Sequence, residues 1–243
     1  MRIMDKNDLA VLALRELVAN KKSVFDFLNR NDEVQNLCNS VLLDDETQQV
    51  QVIEKILATG ITIDEVYEFF LPEAAALLGI YWEESKVSFS QVSLGSQRLQ
   101  KLARIFEKNY LGNFYSFGPG PDIMLISPER EPHMLGMVLA AGMFRKEGAN
   151  PSVAVGRPLD IIFEEIRMRD FSLIGISLVN KEKLPEAIKI AESLKKQFKK
   201  IPIILGTKIN VIELGPNNLK VFDLITQSPK EALNFIEAPS HAR

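Results

Sequence analysis

At 243 residues, with 46% hydrophobic and 25% charged residues, the chain has the balance of an ordinary globular protein and the length for two domains. A net charge of -3 and a pI near 5.6 argue against a protein that grips nucleic acid by itself, because neutralisation of phosphates by Lys and Arg dominates such binding. With one cysteine, Cys38, and two histidines, His133 and His241, an intrachain disulfide and a thiolate metal cluster are excluded, and a multi-histidine zinc or iron site nearly so.

No apolar run is long enough to cross a bilayer, and the first six residues lack the apolar core of a secretory signal, so a cytoplasmic protein is expected. From residue 8 to 111 the pattern is helical with no convincing strand, which predicts a helical bundle. Leu9, Leu12, Leu17 and Val18 form a first apolar stripe, and 24–28 begins a short second segment. Asp45 with Gln48 has capping-box spacing ahead of a helix ending near Gly60, and Thr62 with Glu65 repeats it. The paired carboxylates Asp44-Asp45 and Glu83-Glu84 read as solvated capping groups. Pro72 should end the helix begun at Ile63 and open another, which runs through Ala74, Leu77 and Leu78 toward Tyr81 and Trp82. A lone tryptophan there reads by itself as a partly buried core residue. Ser88 and Gln91 make a further capping box. The helix that follows carries Phe89, Val92, Ser96, Leu99, Ala103, Phe106 and Tyr110 on one face, a core-facing stripe.

Residues 112–121, with three glycines, two prolines and three aromatics, read as a linker between a helical domain at 1–111 and a second domain at 122–243. In that second domain strands are expected at 123–126, 152–155, 173–177, 201–205 and 222–225. Helices at 134–147, 159–169, 184–198 and 229–235 separate them. This alternation predicts an α/β domain with a doubly wound parallel sheet, flavodoxin-like or Rossmann-like. Residues 209–219 are too polar and broken for a helix, and the lysines at 195, 196, 199 and 200 suit the end of a helix.

His133 falls on the loop between the first strand and its helix. In an open parallel sheet such loops gather at the carboxyl ends of the strands, where ligands bind. Gly136, in the first helical turn, permits close approach to the backbone. Glu131 could accept a bond from one ring nitrogen of His133 and leave the other for a metal. A solvated loop histidine is the alternative. No Ser-His-Asp set, Gly-x-Gly-x-x-Gly or P-loop is present, and Gly118-Pro119-Gly120 lacks the context of either glycine motif, so an independent enzyme is not expected.

Glu131, His133 and Gly136 spell E-x-H-x-x-G, which resembles the D-x-H-x-x-G signature of cobalamin-binding domains. Leu71-Pro72-Glu73, Leu78-Gly79-Ile80-Tyr81-Trp82, Val87-Ser88-Phe89, Leu94-Gly95 and Arg98-Leu99-Gln100 resemble the helical cap of cobalamin-dependent regulators and methyltransferase corrinoid modules. The wording is most similar to AerR/PpaA-type antirepressors of photosynthesis genes and to the heme-or-cobalamin sensor domain of AppA-like proteins. The likeness covers about residues 60–235.

The resemblance implies cobalamin held between cap and sheet, with His133 as lower cobalt ligand and Trp82 over the upper face of the corrin; Phe89 is placed to share that cover. It also implies that Ser177-Leu178-Val179, answering S-x-L, and Gly206-Thr207, answering G-G with one glycine lost, wrap a nucleotide tail. Val92 and Ser93 stand where light-sensing relatives carry a Glu-His pair. The implied function is a sensor that controls transcription indirectly, through a protein partner such as a DNA-binding repressor. A heme sensor, a corrinoid carrier for methyl transfer and a ligand-free interaction module remain alternatives.

Overall fold

A computed structural model describes residues 30–112, 120–128, 134–215 and 219–238. The stripes expected before residue 29, most of the expected linker, Glu131, His133 and His241 lie outside the described residues. The chain divides into two compact units, Met1–Gly95 and Ser96–Arg243, and the division falls within a long helix, α5 (Phe89–Leu111).

In the first unit, α1 spans 30–42 and α2 spans Glu46–Ala58. Local hydrogen bonds start the helices where the capping residues stand. Gln48 N–H donates to Asp45 Oδ1 at 3.0 Å, and Thr62 and Glu65 form a reciprocal capping box ahead of α3 (Ile63–Glu65). Ser88 and Gln91 do the same for α5, with bonds of 2.8 and 3.3 Å. Leu37, Ile53, Ile56, Phe70, Ala74 and Leu78 are buried. Gly95 lets α5 pass close to α4 (Leu71–Glu83), since an added Cβ would lie 2.9 Å from Leu78 Cδ1.

Pro72 does not end its helix. The turn before it, Val66–Phe70, is a π-helix in which Leu71 N–H donates to Val66 O, and the run continues directly into α4 with the proline in its first turn. The wider turn accommodates a residue that has no N–H to give and whose ring would crowd the preceding turn of an α-helix.

The connection from α4 to α5 is a tight Schellman turn: Lys86 N–H bonds Tyr81 O at 2.8 Å and Ser85 N–H bonds Trp82 O at 2.9 Å. It places Ser85 at a φ of 57°, where a side chain is crowded by backbone. Ser85→Gly is expected to stabilise the helical unit by roughly 0.5–1 kcal/mol, read as a raised urea midpoint in the fluorescence of Trp82, the single tryptophan. Burial pushes the Cys38 thiol up to about 11, so the thiolate is scarce at neutral pH. An aromatic disulfide reagent is expected to label Cys38 only as the chain unfolds; labelling at the rate of a free thiol in native buffer would contradict this.

In the second unit β1 (Asp122–Ser127), β2 (Asn150–Val155), β3 (Phe171–Ser177), β4 (Ile203–Gly206) and β5 (Leu224–Thr226) form one parallel sheet in the order β2-β1-β3-β4-β5. Helices α6 (Met134–Lys146) and α10 (Pro229–Glu237) pack on one face through Met137, Phe144 and Leu233, against Ile123, Leu173 and Ile204. Helices α7 (Leu159–Met168) and α8 (Leu184–Gln197) cover the other face through Ile162, Ile166, Ala187 and Leu194. This is the doubly wound sheet that the strand-helix alternation predicts. The last turns of α5 meet α6, where Arg145 pairs with Glu107 at 2.6 Å and Lys146 Nζ stands 4.3 Å from the Tyr110 ring centre.

Two expectations shift here. Strand β4 starts at Ile203, because Pro202 has no N–H for the ladder, and β5 starts at Leu224. The stretch expected to lack a helix contains a short one, α9 (Val211–Leu214), started by Asn210 accepting from Ile212 N–H at 2.9 Å.

Candidate functional site

In a sheet of order 2-1-3-4-5 the chain leaves β1 toward one edge and β3 toward the other. In sheets of this order ligands generally bind outside the carboxyl ends of the two strands where the chain turns to opposite edges, here β1 and β3. Ser127 and Pro128 close β1 and are buried. Residues 129–133, with Glu131 and His133, fall between that end and α6, outside the described residues.

Gly136 is the third residue of α6, exposed, and an added Cβ there would meet no atom within 4 Å. Ser177 ends β3 directly opposite Gly206 at the end of β4. Val179, two residues on, is 48% exposed. The fold thus brings Gly136, Ser177, Val179 and Gly206 to one edge of the sheet although they are spread over 71 positions of sequence, from 136 to 206.

Trp82 and Phe89 belong to the helical unit and face each other across the α4–α5 turn. Their ring centres are 6.2 Å apart and their planes 63° apart, an edge-to-face pair. Trp82 is 50% exposed and Phe89 64% exposed. One expectation is corrected by these values: the α5 stripe is core-facing only from its middle onward, with Leu99, Ala103, Phe106 and Tyr110 buried and Phe89 open to solvent. The turn that holds the pair is itself braced: Lys86 pairs with Glu84 at 2.6 Å and lies 5.3 Å from the Tyr81 ring centre, and its carboxylate partner raises the lysine pKa.

Buried hydroxyls stand at the same sheet edge, and of these only Thr207, within Gly206-Thr207, was singled out from sequence. Ser127, Thr207 and Thr226 stand at the ends of β1, β4 and β5 with at most 8% exposure. Their signal is a small hydroxyl residue directly after an apolar strand run, where it can bond the backbone that the ladder no longer serves. Among the described residues no three His, Cys, Asp or Glu side chains converge to hold a metal ion, and no helix is long and apolar enough to cross a membrane.

A helical unit followed by a five-stranded parallel sheet flanked by helices is an arrangement shared with a solved corrinoid protein. The chain is similar to the monomethylamine corrinoid protein of Methanosarcina barkeri with a TM-score of 0.64, over 84% of this chain and 97% of that one, at 12% identity. In sequence it is 22% identical, over 143 residues, to an uncharacterized 20.5 kDa protein of the bchF-crtJ intergenic region of Rhodobacter capsulatus; the match takes in 59% of this chain and 74% of the relative. No protein-family model matches the chain.

Proposed function

We propose that this protein binds cobalamin and acts as a non-enzymatic regulator through a protein partner such as a DNA-binding transcription repressor. The observation that carries the reading is the exposed Trp82–Phe89 pair on a rigid turn. Large aromatic faces are costly to leave in water, and a fixed edge-to-face pair offers a ready apolar cover for a flat macrocycle. In the sheet unit, an added Cβ at Gly136 would meet nothing within 4 Å, which leaves room for a ligand to approach the start of α6.

In this reading His133 would hold the metal, Glu131 would orient the imidazole, and Ser177, Val179 and Gly206 would border the ligand. The cofactor, when bound, would supply a cobalt ion able to exchange ligands. What the chain contributes is position, cover and exclusion of water. A ligand that favours one conformation of the chain changes what a partner meets. The regulatory part is supported by the sequence resemblance to photosynthesis-gene antirepressors and by the relative from the bchF-crtJ region. The corrinoid-carrier alternative shares fold with the Methanosarcina protein. A heme sensor is the second reading, favoured by Thr207 in place of a glycine at the edge.

The test is an absorption spectrum, taken in the dark, of protein incubated separately with hydroxocobalamin, adenosylcobalamin and heme and then desalted. Retained corrin bands are expected. A Soret band alone would replace cobalamin by heme, and a colourless protein in all three samples would leave an interaction module on a corrinoid-protein fold.

A further inference from the structure

We propose that the groove between α1 and α2 is a binding site for a small zwitterion of amino-acid size, on helices that carry none of the residues assigned to cobalamin. The groove has a volume of about 340 Å³, at the lower end of the range for small-molecule pockets. Its α1 wall is one helical face, with Glu33, Asn36, Ser40 and Leu43 at spacings of three, four and three. Gln48, Val52 and Lys55 form the α2 wall. Only residues 43–45 join the two helices, so the walls run antiparallel. Glu33 stands ten residues before Leu43 and Lys55 ten after Asp45, which sets the carboxylate and the ammonium at the same end of the groove.

Both charges are available to a ligand. Among the described residues Glu33 and Lys55 form no ion pair with each other, and the carboxylate accepts one long bond, 3.4 Å, from Asn36 Nδ2. Between the charged end and the turn the lining is made for hydrogen bonding. The amides of Asn36, Asn39 and Gln48 each offer donors and an acceptor. Ser40, buried at the floor, donates to Leu37 O at 2.8 Å and keeps its lone pairs for an outside donor. Val52 and the half-exposed Leu43 supply the apolar remainder. A seam for a partner helix is lined chiefly by apolar anchors, whereas six of these eight positions are polar or charged, which favours a small polar ligand. An α-amino acid matches the arrangement, with its ammonium on Glu33, its carboxylate on Lys55 and its side chain lying along the groove.

Calorimetric titration of the full chain with the standard free amino acids, singly and up to about 10 mM, should find at least one that binds with a Kd of about 1 mM or tighter. The same amino acid as its N-acetyl amide, which lacks both backbone charges, should bind at least about tenfold more weakly. Lys55→Met and Glu33→Gln should each cost about tenfold in affinity and leave the urea midpoint unchanged, since neither side chain is buried. Val52→Phe should fill the groove and abolish binding with both charges in place. Binding of no amino acid would overturn the proposal, and so would an affinity that none of these variants moves. Equal binding of the N-acetyl amide would overturn the zwitterion assignment. Concentration-dependent dimers that Val52→Phe abolishes, with no amino acid bound, would make the groove a seam for a second copy and overturn the proposal as well.

Discussion

Gly120→Ala is expected to destabilise the sheet unit by about 3 kcal/mol, a large part of what holds a domain of this size together. A Cβ at Gly120 would sit far inside contact distance of the Gly148 carbonyl oxygen. Both partners are backbone, so no rotamer change relieves the clash, and each is tied down. Gly120 O accepts from Asn150 Nδ2 at 3.0 Å, and Pro121 O accepts from Asn150 N–H at 2.9 Å. Gly148, at a φ of 87°, ends α6 in a turn where its own N–H reaches Arg145 O at 2.9 Å. The clash therefore lands where β1 begins to pair with β2, at Asp122 and Asn150. Urea unfolding followed by far-ultraviolet circular dichroism would read the loss. Gly136→Ala is the control: its added methyl meets nothing within 4 Å, and alanine favours a helix, so its midpoint should equal or exceed that of the unaltered protein. Equal midpoints for Gly120→Ala and the unaltered protein would mean that the chain passes Gly148 differently.

His133→Ala and Trp82→Ala should both weaken cobalamin binding, but with different spectra. Loss of a metal ligand is expected to cost about 100-fold in affinity and to move the visible corrin bands, because the cobalt coordination itself changes. Loss of the indole removes apolar cover without touching coordination, so about a tenfold loss with unmoved bands is expected, and Trp82→Phe should recover most of it. Because Trp82 is half exposed, its replacement should leave folding nearly unchanged. Wild-type bands in His133→Ala would end the case for this histidine as lower ligand. A band shift in Trp82→Ala would mean that the indole does more than cover the ring.

What could be read from sequence was what short-range physics decides. The capping residues at Asp45, Thr62 and Ser88 act within four residues, and each makes the bond that its spacing predicts. The five strands were legible because buried parallel strands are short apolar runs separated by helices. Pro72 was misread for an equally physical reason: its rule assumes an α-helix, and the π-turn before it supplies the room that an α-helix denies. The exposure of Phe89 could not be read from the periodicity of α5, since residues in one helical stripe look alike until the neighbours that cover them are known; only the resemblance to a corrinoid cap pointed to Trp82 and Phe89 as cover for a ligand. The burial of Thr226 likewise depends on strands brought together from distant parts of the chain.

The turn at Val66–Phe70 also has a bearing on Trp82. A π-turn takes up about one residue more than an α-turn in the same full rotation, so the surplus residue is absorbed within the turn. Leu78 and Trp82, downstream in α4, therefore keep the azimuth that an uninterrupted helix one residue shorter would give them. Removing one residue from 66–70 should leave the indole facing Phe89 while pressing the Pro72 ring onto a carbonyl of the restored α-turn. The irregularity thus makes room for the proline without turning the aromatic face.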